Sequence, residues 1–134
     1  MKDYEKAILQ KIRIYAAQAI QFKEDMDFET FSSDIKTTSA CVFNLFQIGE
    51  LVGKLDDEFI DDNSQIPWRK IKGLRNRIAH GYEDIKLNIV WDVIIESLPE
   101  LIKQIDIMDV NSLGQITNGK TQTDKSGYRQ GSPY

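Results

Sequence analysis

Apolar residues in the stretch DYEKAILQKIRIYAAQAIQFKE return every three or four positions, at Ile8, Ile12, Tyr15, Ala19 and Phe22. That spacing lines one stripe of an α-helix, whereas a half-buried strand would alternate with a period of two. The helical period recurs down the chain, and no segment alternates as a strand does. The chain is therefore restricted to all-α folds. A second helix is expected from Phe28 or Asp34 to Leu55, with Val42, Leu45, Phe46, Gly49 and Val52 on its stripe. Gly49 there points to a close helix crossing. Pro67 suits the first turn of a third helix, PWRKIKGLRNRIAH, because proline lacks an amide hydrogen that this position leaves unbonded anyway. Gly81 favours termination just past His80.

A fourth helix is expected over KLNIVWDVIIES, burying Ile89, Val90, Val93 and Ile94. The SLPE segment ends it. Ser97 and Glu100 have capping-box spacing and Pro99 falls where a new helix can begin, so PELIKQIDIM reads as a kinked continuation or a short fifth helix. The sum is an antiparallel bundle of four to five helices over residues 1–110. From Asn111 onward NSLGQITNGKTQTDKSGYRQGSPY is rich in Gly, Ser, Thr and Gln. Too few apolar residues remain there to offset the entropy of ordering, so residues 111–134 read as a flexible polar tail.

With 134 residues, 41% of them hydrophobic, the chain fits one domain with one ordinary core. The single cysteine, Cys41, excludes an internal disulfide, and the single histidine, His80, leaves a Cys/His zinc site short of ligands. No metal or other cofactor is expected. No apolar run has the length of a membrane span, and the start MKDYEKAILQ lacks the apolar core of a signal peptide, so the protein reads as soluble and cytoplasmic. The acids of DDEFIDD, residues 56–62, lack the spacing of a calcium loop and read as a solvated connection. Trp68 and Trp91 read as core or interface residues, and Cys41 as inert packing.

A net charge of −4 argues against nonspecific coating of nucleic acid, but the average hides a local asymmetry. No acid occurs from Asn63 to Tyr82, while Arg69, Lys70, Lys72, Arg75 and Arg77 all fall there. Such a patch can bind a few phosphates, not a long duplex. Within it, RNRIAHGY holds the only histidine. Asn76 precedes His80 by four positions and so shares its helix face, from which it could orient the imidazole. Arg75 and Arg77 are permanently charged donors suited to phosphate oxygens, and Tyr82 follows Gly81 in a loop setting. These arguments alone leave open whether the cluster is a site or only a capped helix end with solvated arginines. One imidazole is also short of what cleavage of a phosphodiester needs, one group to take a proton and another to give one.

RNRIAHGY matches the Arg-(four residues)-His-any-Tyr signature of HEPN-domain proteins of the HepT type, with Arg75, His80 and Tyr82 in the defining positions and Asn76 in the usual polar one. NLFQIGELVGKL, IPWRKIKGLRNRIAHGY and IVWDVIIESLPELIKQI also resemble the family's helices in order and spacing, so the likeness covers about residues 3 to 108. The resemblance implies a helical bundle that forms a homodimer, with the two signatures meeting in a shared cleft that cuts RNA as a metal-independent endoribonuclease. Two copies of His80 would then supply the proton acceptor and donor. Arg75 and Asn76 would complete the catalytic set, and Arg77, Lys72 and Tyr82 would hold substrate. It further implies a toxin of a type II/VII-like system, paired with an MNT-type nucleotidyltransferase antitoxin that transfers AMP to Tyr82. A different reading makes the bundle a noncatalytic partner that holds substrate for a nucleotidyltransferase.

Overall fold

The computed structural model describes residues 1–116, the side chains of Tyr82 and residues 110–116 excepted. It is all-helical among the described residues. Helix α1 (Asp3–Lys23) begins where Glu5 Oε1 accepts the Lys2 amide at 2.8 Å. Its buried line runs through Leu9, Ile12, Ala16 and Ala19. Ile8 and Tyr15 are only half-buried and Phe22 is 37% exposed, so the expected stripe is correct in period but rotated toward its Leu9 side.

Both expected starts of the second helix are used. Asp27 caps α2 (Phe28–Ser33) through the Thr30 amide at 2.8 Å, and Asp34 caps α3 (Ile35–Val52) through the Thr37 amide at 3.0 Å. Asp34 is also the extended residue that separates them. Helix α3 lies antiparallel to α1: Cys41 Sγ meets the Ala19 carbonyl at 3.6 Å, and three residues later Asn44 Nδ2 donates to the Tyr15 carbonyl at 3.1 Å. Asn44 is buried, and a second bond, to Gln18 Oε1 at 3.2 Å, engages the other hydrogen of its amide nitrogen. Burial pushes the Cys41 thiol up to about 11, consistent with packing.

The acidic run is more than a solvated connection. It forms the short helix α4 (Asp57–Asp62), whose buried Phe59 lies 6.2 Å from the Trp68 ring. Trp68 is itself buried and donates its indole N–H to the Asn63 carbonyl at 2.9 Å. This contact seats the first residue of α5 (Trp68–His80), which starts directly after Pro67. Trp91 is half-buried, with Phe28 and Phe31 ring centroids at 5.8 and 5.2 Å.

Helix α6 (Leu87–Asp92) continues through a π-turn (Val93–Ser97) into α7 (Leu98–Ile116). Continuation, not a separate fifth helix, is thus the form realised. Proline has no amide hydrogen and crowds the preceding turn, so Pro99 disfavours ordinary α geometry just before it. The wider turn, in which the Leu98 amide bonds the Val93 carbonyl, absorbs that misfit without ending the rod. Val90 and Ile94 are fully buried, while Ile89 and Val93 are partly so. The helix runs on to Ile116, past Asn111 where the sequence points to a tail; residues 117–134 of that tail lie outside the described residues. Helix α7 is antiparallel to α1, joined by Arg13–Asp106 and Lys6–Asp109 ion pairs. No described helix is long and apolar enough to cross a membrane.

Candidate active site

Helix α5 is placed by its two flanks. Trp68 and Ile78 are buried, Ile71 and Leu74 pack against the core, and Arg69, Lys70, Lys72, Asn76, Arg77 and His80 are exposed. Arg69, Lys70, Lys72 and Arg77 make no ion pair with a described residue, so the expected basic patch is a real surface.

Where α5 crosses α3 the two helices nearly touch. A Cβ added to Gly49 would lie 2.2 Å from Arg75 Cβ and 2.7 Å from Arg75 Cγ. Only glycine permits that approach. The crossing foreseen from Gly49 therefore occurs on a residue of the signature itself. Arg75 Cζ then lies over the Phe46 ring of α3, 5.1 Å from its centroid. Glu50 Oε2 accepts from both Arg75 Nε at 3.1 Å and Nη2 at 2.8 Å, Oε1 accepts from Nη2 at 3.4 Å, and Nη1 donates to Asn76 Oδ1 at 3.1 Å.

His80 ends α5 on a different side. Five residues correspond to roughly 140° around a helix, so Arg75 faces α3 while His80 faces outward. Asn76, Arg77 and His80 line an open pocket of about 290 Å³ with Gly81, Asp84 and Ile85. Asn76 is the link between the two halves, since it lines this pocket and holds Arg75. Its expected hydrogen bond to the imidazole is not formed; its carbonyl oxygen is occupied by Arg75 instead. Lys72 lies one turn before Asn76 on the same exposed side, outside the pocket lining. Tyr82 opens a short 3-10 turn (Tyr82–Asp84) just beyond Gly81, and its side chain lies outside the described residues.

Gly81 ends α5 as expected, but for a reason the sequence does not display. Its backbone is extended (φ −168°), and a Cβ there would meet Asp84 Oδ2 at 2.7 Å. The missing side chain makes room for the Asp84 carboxylate on the pocket lining that His80 shares. Asp84, Glu50 and Phe46 were not legible as site residues. The available signal for the latter two was their spacing around Gly49, which puts 46, 49 and 50 on one helix face. Among the described residues there is no group of three or more His, Cys, Asp or Glu that could hold a metal ion.

The family model described as "Ribonuclease HepT-like" matches residues 12–108, a span containing the bundle and this whole site. The chain belongs to the HepT-like ribonuclease family. Its relatives include "Putative RNase MJ0127" of Methanocaldococcus jannaschii, 38% identical over 101 residues, covering 70% of this chain and 84% of that protein. "Putative RNase TTE0752" of Caldanaerobacter subterraneus subsp. tengcongensis is 37% identical, covering 64% of this chain and 77% of that protein. "Probable ribonuclease HepT" of Thermococcus cleftensis is 29% identical, covering 75% and 87%. No solved structure matches the chain significantly. In this HepT-like chain the signature residues are divided: one arginine is fixed by α3, and the histidine stands free at the helix end.

Proposed function

We propose that the chain is a metal-independent endoribonuclease whose site is completed by a second copy of itself. The observation that carries this reading is the exposed, hydrogen-bond-free His80 in an open pocket beside Arg77, on a helix whose signature is that of a ribonuclease family. A single chain supplies one imidazole, and proton transfer to and from RNA needs two groups. Two-fold pairing across the open face of α5 supplies the second.

In the reaction one His80 removes the proton of a ribose 2′-hydroxyl, and that oxygen attacks the adjacent phosphorus. The bond from phosphorus to the 5′-oxygen breaks, and the other His80 or water returns a proton to the leaving oxygen. The products are a 2′,3′-cyclic phosphate and a 5′-hydroxyl. Arg75 stabilises the charge that builds on the phosphorane-like transition state, and Asn76 ties Arg75 to the pocket. Arg77 and Lys72 bind phosphates of the incoming strand. Asp84 lines the same pocket and repels phosphate, so the strand is steered toward the Arg77 side.

The biological reading is a toxin held in check by an MNT-type nucleotidyltransferase, which transfers AMP from ATP to the Tyr82 hydroxyl with release of pyrophosphate. Support for Tyr82 is its place two residues beyond His80, where an added phosphate would compete for the arginines. Two measurements test the proposal. Sedimentation at micromolar concentration should give a dimer, and a fully active monomer would sink the shared cleft. Intact mass after incubation with transferase and ATP should rise by one AMP in the wild type and stay constant in Tyr82→Phe. Purified wild type that binds RNA without cutting it would transfer the chain to the class of noncatalytic partners.

A further inference from the structure

We infer that Glu50 is a positioning residue for Arg75, part of a cradle on α3 that presents one edge of the guanidinium to the scissile phosphate; this rests on the ribonuclease reading above. Three neighbours on one face of α3 meet the same side chain, each at a different point. Gly49 lets the Arg75 stem lie against the α3 backbone. Phe46 lies under the guanidinium, its ring centroid 5.1 Å from Arg75 Cζ. Glu50 holds its Nε and Nη2 edge at 3.1 and 2.8 Å.

Guanidinium has five N–H donors in a fixed plane. Glu50 uses the Nε side of the fork, and Asn76 takes one hydrogen of Nη1 at 3.1 Å. Nη2 also reaches Glu50 Oε1 at 3.4 Å, which leaves the second hydrogen of Nη1, toward the end of the side chain, for a phosphate to accept. A carboxylate is not needed there for packing. The pair is about one-third exposed on both sides, 35% for Arg75 and 36% for Glu50, and ion pairs of that exposure contribute little to stability. Its effect is therefore on direction: a long, flexible cation is reduced to one orientation before RNA arrives, which lowers the reorganisation required in the transition state.

The alternative role for Glu50 is competition, in which the carboxylate must be displaced before Arg75 can bind RNA. The two roles have opposite signs in kinetics. Glu50→Ala, Glu50→Gln and wild type are compared for kcat and KM on one RNA oligonucleotide, with melting temperatures in parallel. Positioning predicts that Glu50→Ala lowers kcat about 10- to 100-fold while KM stays within about twofold. Glu50→Gln keeps one acceptor oxygen in the same plane and should recover part of that loss, with both variants melting close to wild type. Unchanged or increased kcat in Glu50→Ala overturns the inference, as does a loss of kcat that follows a loss of melting temperature. Wild type that fails to cut any RNA overturns the ribonuclease reading itself, and this inference with it.

Discussion

Two arginine–carboxylate pairs occur in the described part of the chain. Arg13 donates from Nε to Asp106 Oδ1 at 2.7 Å and from Nη2 to Asp106 Oδ2 at 3.0 Å, clipping α1 to α7 across 93 residues of sequence. Arg75 meets Glu50 between α5 and α3, across 25 residues, with Nε and Nη2 converging on the one oxygen Oε2 at 3.1 and 2.8 Å. Both are partly exposed. They differ in what surrounds the guanidinium. Arg13 adds only another carboxylate nearby, Asp109. Arg75 lies on an aromatic face, against a glycine, and shares Asn76 with the pocket that holds His80. An ion pair by itself is therefore a poor marker of a site. The marker is an arginine held on several sides with a donor still free, one residue from an open pocket.

The largest contrast between the two pairs should appear in catalysis. Arg75→Ala should lower kcat on RNA by about 100-fold or more, the range seen when a donor to transition-state charge is removed. Arg75→Lys should also be severely impaired, because an ammonium cannot span the two contacts. Arg13→Ala should leave kcat within about twofold. Equal losses in Arg13→Ala and Arg75→Ala, measured as initial rates on the same RNA, would erase the distinction.

The next effect is on packing. Gly49→Ala drives a methyl group into Arg75 Cβ and should destabilise the fold by about 1–3 kcal/mol, as overpacked contacts do. Gly73 is the control on the same helix as Arg75, since a Cβ there meets nothing within 4 Å. Gly73→Ala should stabilise α5 by about 0.5–1 kcal/mol, the usual gain from removing a helix-interior glycine. Chemical denaturation of both variants checks this. A mild Gly49→Ala would mean that the crossing yields easily and does not set the position of Arg75.

The smallest effect belongs to the structural pair. The Arg13 guanidinium bonded to Asp106 holds that carboxyl below the usual carboxylate range. A carboxyl depressed in the folded state adds stability that is present above its unfolded pKa, about 4, and is lost as pH falls through the folded value. The melting-temperature gap between wild type and Asp106→Asn should therefore be full near neutrality and close below about pH 4. At this exposure the gap is small, about 0.5 kcal/mol or less. A gap that persists in acid would mean that packing, not charge, joins α1 to α7 at this point.

Much of this arrangement was legible in the residues, and the failures have physical causes. The helical period gave α1, α3, α5 and the α6–α7 rod, and Gly49 gave the crossing before any partner for it was known. Helix faces were less certain: a 3.6-residue repeat lets Ile8 or Leu9 lead the stripe, and packing of α1 against α3 selects Leu9. Pro99 could be read as a start or a kink, and the π-turn that reconciles it with a continuous rod has no sequence signature of its own. The acidic run 56–62 concealed one buried side chain, Phe59, which sufficed to fold it against Trp68. At the site, Arg75, Asn76, Arg77 and His80 were read from one octapeptide because they lie on one helix. Glu50 shares the Gly49 face of α3 but has a role only through its tertiary contact with Arg75, and Asp84 is placed by the turn after Gly81.

The most direct test of the chain as a ribonuclease that depends on His80 is a single comparison on purified protein. Total RNA is incubated with wild type and with His80→Ala in excess chelator, and the new termini are identified by mass spectrometry. Wild type should produce fragments ending in 2′,3′-cyclic phosphate in the presence of chelator, while His80→Ala, with unchanged helical content, should produce none. Equal cleavage by the two proteins, or cleavage by wild type that chelator abolishes, would contradict the proposed chemistry.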